Sequence, residues 1–327
     1  KNGVFHIINH ILTPKKNIWE YINSQTASSA MSNYLVSLDD LNIYKSDMTA
    51  KENAVPGAFA DSLSNSFLKN VYNVNNEKNS YTLFLIEDEG YTAEVEKLKP
   101  YLNKLTADST ATYSGYFTVR DMVFPKAYKI NELPNELTTR FGVKVPIDKT
   151  QIVGEPIVLS NGIIYRMKKV DVPLASRLVP TKIEGEKNVS YFPNDLRSKM
   201  MYRDLVDPND PLKILFNDVY VKNTKVSNAF LNYSASDLYS TKYDVYWRAV
   251  NTAASVFQQK VTVTNGGVTQ TLPYINVAQN VYTEVYLGEF NLTQSGSIFA
   301  HLIANTTTAD GTNSLTLDYL KFVPRVK

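Results

Sequence analysis

The sequence predicts an α+β domain followed by an all-β sandwich, and three observations carry that reading. A thirteen-position pattern occurs twice, as NGVFHIINHILTP at Asn2 to Pro14 and as NGIIYRMKKVDVP at Asn161 to Pro173, an offset of 161 minus 2, or 159 residues. Between the copies lie amphipathic stretches and apolar runs of helix and strand type, and beyond the second the texture turns to short alternating segments separated by turn residues. Self-similarity at a fixed offset is what a repeated domain leaves behind.

The first copy alone fits a helical period, through Val4, Ile7, Ile8 and Ile11. The second excludes it, because Arg166, Lys168 and Lys169 would spoil a helical apolar face. An Asn-Gly turn in front, β-branched residues within and Pro173 behind suit a strand entered from a hairpin. Both copies are therefore expected to be closing strands. Residues 1–14 then read as the last strand of a preceding, largely absent domain, residues 15–176 as a complete one, residues 177–181 as a linker and residues 182–327 as the sandwich.

Within the first domain, Asn17 is placed to cap a short helix through Trp19, Tyr21 and Ile22, and a second helix begins near Ser28. Tyr81 to Ile86 is an apolar strand run that enters an acidic turn, Glu87-Asp88-Glu89, and then a helix over Glu94 to Leu102. Acidic residues ahead of a helix accept orphan N–H bonds and oppose its dipole, so this trio reads as a cap and not as an acid/base pair. Residues 141–159 read as two short strands before the closing one.

The sandwich is announced by the alternation of Tyr243 to Val250 and by the Asn265-Gly266-Gly267 hairpin between two Thr/Val-rich runs. Strand-like stretches at Tyr282 to Phe290, Ser297 to Ala304 and Leu315 to Pro324 follow.

With 327 residues and 43% apolar content the chain can bury two cores, and 34 Lys and Arg against 32 Asp and Glu give no electrostatic case for nucleic acid. The absence of cysteine removes thiolate metal sites, disulfides and cysteine nucleophiles together. No phosphate-cradling glycine loop or nucleophile elbow is present. His6 and His10 have the zinc spacing of a helix, but on a strand they would stand about 13 Å apart, beyond shared coordination. His301 reads as a strand-face residue. The chain is expected not to be an enzyme.

YTLFLI with its acidic turn resembles the first motif of fasciclin-like domains, and NGIIYRMKKVDVP resembles the second. The chain departs from that family at Ile86-Glu87, where the motif has Pro-Thr, and at residues 116–124, where its Tyr-His pair is missing. Residues 181–327 resemble galactose-binding-like jelly rolls such as the family 6 carbohydrate-binding modules, through Ile183-Glu184-Gly185-Glu186, the YDVYWRAV strand, LGEFNL at Leu287 to Leu292 and the closing LTLDYLKFVP.

That second resemblance implies a structural calcium held by Glu184, Glu186 and Asp318 on the first and last strands. It also implies sugar recognition by flat aromatic rings, for which Tyr233 and Tyr239 in the polar stretch before the central strand, Tyr274 and Tyr282 beside another loop, and Asn313 near the last strand are the candidates. Trp247, mid-strand, is expected in the core.

The combination resembles surface lipoproteins of Bacteroidetes-type organisms. The function it implies is non-enzymatic adhesion or glycan binding, with a polysaccharide as partner, no nucleic acid, and a membrane reached only through a lipid anchor outside this sequence. A scaffolding role that binds only other envelope proteins of a glycan importer is the alternative, and a glycosidase is a third class. No run approaches the roughly 20 apolar residues of a membrane span.

Overall fold

The computed structural model describes residues 14–39, 65–305 and 313–326. The chain divides into two compact units, Lys1–Leu98 with Ala111–Arg177, and Lys99–Thr110 with Leu178–Lys327. The repeat at residues 2–14, with His6 and His10, lies outside the described residues but for Pro14. Among the described residues no helix is long and apolar enough to cross a membrane.

In the first unit Asn17 caps α1 (Ile18–Ser24) in a full capping box with Glu20. Ser29 caps α2 (Ala30–Ser37), and the first N–H of that helix, from Ala30, goes to the Asp88 carboxylate at 2.7 Å. The acidic turn thus serves a helix remote in sequence, besides opening its own at Asp88–Leu98.

The apolar run Tyr81–Ile86 forms β1, and the second motif forms β6 (Gly162–Met167). They lie side by side in parallel, from Tyr81 opposite Gly162 to Ile86 opposite Met167. Continuous burial on both faces explains why β1 carries no polar alternation. With β2 (Val123–Phe124) and β5 (Ile157–Leu159) the order is β2-β1-β6-β5. β3 (Glu136–Thr138) and β4 (Lys144–Pro146) pair separately.

β6 is entered from β5 by a tight turn at Ser160-Asn161. A Cβ on Gly162 would meet the Tyr81 carbonyl oxygen at 2.1 Å, so the close approach of β1 requires glycine there. Asn161 is buried and ties three segments together: its Oδ1 accepts from Ile18 N at 2.9 Å and its amide donates to the Val74 carbonyl at 2.7 Å.

Arg177 is not part of a linker. It ends the short helix Leu174–Arg177, is 1% exposed, and donates from Nε to Asp121 and from a terminal nitrogen to Glu94, each at 2.7 Å. A buried guanidinium is tolerable only when paired and hydrogen-bonded in this way.

The second unit is a sandwich with a single apolar cluster at its centre, in which Trp247 is buried. One sheet has the order β14-β13-β17-β11-β8, from Val268–Thr271, Phe257–Asn265, Gly296–Ala304, Phe230–Leu238 and Ser190–Phe192, with β15 (Ile275–Val277) also on β13. A second runs β16-β12-β19-β7, from Val285–Asn291, Lys242–Arg248, Tyr319–Pro324 and Thr181–Glu184. A third, of β18 (Leu315–Leu317), β10 (Leu215–Val221) and β9 (Met200–Val206), completes it.

The β13–β14 hairpin closes at Gly266 and Gly267, both at positive φ (+55° and +83°), the conformation a two-residue turn of this hand needs. The run expected as one closing strand is two, broken at Asp318, because the chain leaves β10 as partner and joins β12 and β7.

Residues 99–110, placed in the first domain by the sequence reading, cluster with this unit. The Asn103 amide donates to the Thr293 carbonyl at 2.8 Å, and Asn103 O accepts from Ser295 N at 2.8 Å.

Candidate functional site

Strand period two and the ladder registers fix which residues share the outer face of the β14-β13-β17-β11-β8 sheet. Leu231 and Tyr233 of β11, Ala300 and Leu302 of β17, and Val261 and Val263 of β13 point into the core. Their neighbours must therefore point out. One outward row runs Phe192, Phe230, Ile303, Lys260 across β8, β11, β17 and β13; the next runs Ser190, Asn232, His301, Thr262; the third runs Ser234, Phe299, Thr264.

This face holds aromatic rings that burial does not explain. Phe192 is 47% exposed and Phe299 50%. The Phe192 and Phe230 rings stack at 5.7 Å between centroids with 21° between planes, and His301 lies 4.9 Å from Phe230. Phe192, Asn228, Phe230, Lys260, His301 and Ile303 line a shallow depression of about 410 Å³. The Lys260 ammonium sits 4.4 Å from the centre of the Tyr274 ring, and the Tyr274 hydroxyl reaches Asn228 Oδ1 at 3.4 Å. Burial holds the His301 imidazole below its usual range, so it is neutral at pH 7. A flat apolar platform bordered by an amide, a phenol and an ammonium offers a stacking surface with polar groups at one edge.

Of the five residues the sequence suggested for ligand contact none lines this depression, and Tyr274 alone touches residues that do, Lys260 and Asn228. Tyr233 is fully buried, its hydroxyl donating to the Gly185 carbonyl at 3.0 Å. Tyr239 is 9% exposed, and its backbone N–H and C=O are both bonded to the Tyr243 hydroxyl. Asn313 is buried, donating to the Asn305 carbonyl and accepting from Thr224 N. Tyr282 packs edge-on against Phe216 at 6.4 Å.

The reason for the first correction is that most of the polar stretch Asn232 to Lys242 belongs to strand β11 (Phe230–Leu238), whereas Tyr239 follows that strand and is held by the Tyr243 hydroxyl. The outward Asn232 and Ser234 gave the strand a loop's composition, while the alternation of Leu231 and Tyr233 with them was the missed strand signal.

Glu184, Glu186 and Asp318, the acids named for calcium, are not gathered into one cluster. Among the described residues no three acidic or histidine side chains are grouped to hold a metal. Asp318, 2% exposed, is bonded to the Arg248 guanidinium, and burial pushes its carboxyl up against that pull. Glu184 pairs with Lys182 at 3.1 Å. Glu186 keeps a buried side-chain oxygen, Oε2, with no hydrogen-bond partner among the described residues.

No family model and no curated protein matches the chain. Many solved structures are similar to part of it, three of which follow. The CBM36-1 domain of a multidomain xylanase from the hindgut metagenome of Trinervitermes trinervoides is 16% identical, over 45% of this chain and 99% of that one, with a TM-score of 0.32. A CBM36 carbohydrate-binding module in complex with calcium and xylotriose is 17% identical, over 43% and 98%, at 0.29. A family 35 carbohydrate-binding module from Clostridium thermocellum is 12% identical, over 45% and 98%, at 0.29.

Proposed function

We propose that this is a non-enzymatic glycan-binding protein whose sugar-binding surface is the open face of the β14-β13-β17-β11-β8 sheet. The observation that carries the reading is the stacked, partly exposed Phe192–Phe230 pair beside Asn228, Lys260 and Tyr274. Pyranose C–H faces stack on such rings, and their hydroxyls take hydrogen bonds from the amide, the phenol and the ammonium. The three outward rows named above carry no carboxylate.

The first unit, with its parallel pair of motif strands, is in this proposal a fasciclin-like domain that presents the sandwich in adhesion at a bacterial surface, the whole being carried as an outer-membrane lipoprotein. That part rests on the sequence resemblance. Cell fractionation, with the protein expected in the outer membrane and reachable by external protease, checks it.

Affinity electrophoresis through gels containing a panel of polysaccharides tests the binding. The protein is expected to be retarded by at least one, and Phe230→Ala to migrate as in a gel without sugar. A folded protein that no polysaccharide retards would overturn the reading and leave a purely protein-binding scaffold in its place.

A further inference from the structure

We infer that the open face selects acidic polysaccharides, with Lys260 receiving the carboxylate or sulfate of a sugar whose neighbour in the chain stacks on Phe230. The inference rests on the glycan reading above and names the ligand class for the same surface.

It starts from charge. In the three outward rows Lys260 is the sole charged side chain. Four other lysines of this unit sit within salt-bridge reach of a carboxylate, Lys182 with Glu184, Lys199 with Asp195, Lys242 with Glu289 and Lys321 with Glu284, and all four lie off the three rows. Among the described residues no carboxylate pairs with Lys260; its neighbour is the face of Tyr274 at 4.4 Å. A ring holds an ammonium in place without neutralising it.

Position supports the same ligand. Lys260 stands opposite Ile303 and Ile303 opposite Phe230, so two strand spacings, about 10 Å, separate the cation from the stacking ring. A linked chain laid across the strands can therefore rest one ring on Phe230 while another presents an anion to Lys260. The neutral His301 beneath adds no competing charge. A single cation suits one anionic group per sugar and not a phosphodiester polymer, which is held by many cations at once.

The test uses the full chain and two forms of one polymer, polygalacturonate and its methyl ester, which differ only in charge. A sulfated dextran beside plain dextran forms a second arm that separates sulfate from carboxylate. Retardation is expected to be at least tenfold stronger on the charged member of one pair. Lys260→Met should remove that tenfold preference, Lys260→Arg should keep most of it, and Lys129→Met, an exposed lysine of the first unit, should leave it unchanged.

Equal binding to charged and neutral members would overturn this inference while leaving the glycan reading intact. A preference that survives Lys260→Met would place the attraction elsewhere and overturn it as well. Retardation by no polysaccharide of either kind would remove the glycan reading itself.

Discussion

Lys260 and Lys182 both lie over a tyrosine ring, at 4.4 Å from Tyr274 and 3.9 Å from Tyr319, yet their surroundings differ in kind. Around Tyr319, where the first and last strands of the sandwich meet, Lys182 is paired with Glu184 and Arg248 with Asp318, while the Tyr319 hydroxyl donates to Glu284 at 2.8 Å. Around Tyr274 no such balancing is found among the described residues. Charges that answer one another hold strands together. A cation set among neutral outward residues has its attraction left for something outside the chain.

The largest effect that can test this contrast is at the balanced end. Arg248→Met would strand the Asp318 carboxylate at 2% exposure, and urea denaturation should show a loss of about 3–5 kcal/mol. Lys260→Met on the open face should stay within about 0.5 kcal/mol of the parent in the same titration. A comparable loss for both would mean that Lys260 is structural.

Phe230→Ala sharpens the contrast from the apolar side, because truncating an outward ring should abolish polysaccharide retardation while costing less stability than truncating the inward Leu231 one position along. Thermal denaturation with calcium and with a chelator should give the same midpoint as long as Arg248 and Lys182 keep Asp318 and Glu184 paired. A rise with calcium would break the comparison at the balanced end.

The smallest effect is a pH dependence. Burial holds His301 below its unfolded value of 6.5, so between its folded value and 6.5 the unfolded chain binds more protons. Stability therefore rises with pH through that window and is level above 6.5 as far as this group is concerned. His301→Ala should remove the slope.

The sequence made legible those elements whose burial is one-sided or complete. YTLFLI and GIIYRM are apolar because both faces of β1 and nearly all of β6 are covered, but nothing in either run announced that the two would lie parallel to one another. The Asn-Gly-Gly turn named its own hairpin. The open face was hidden for the reason that makes it a candidate site: outward residues such as Asn232 and Ser234 dilute the strand pattern. Phe192 and Phe230 belong to strands not read as strands, and only register brings them beside Lys260. Acidic residues can be counted in sequence, whereas the partners of Asp318 and Glu184, Arg248 on β12 and Lys182 two residues along Glu184's own strand, come only from the structure.

The parallel pairing of β1 with β6 also sets an order of events during synthesis. Tyr81 and Gly162 are 162 minus 81, or 81 positions apart, so the central ladder of the first unit closes a long loop and has no local substitute. A nascent chain that has emerged only as far as the helix Ala107–Val119 exposes an apolar strand with nothing on its β6 side. Folding of this unit must therefore wait for its last strand, and an arrested chain released before residue 162 should need a chaperone to stay soluble.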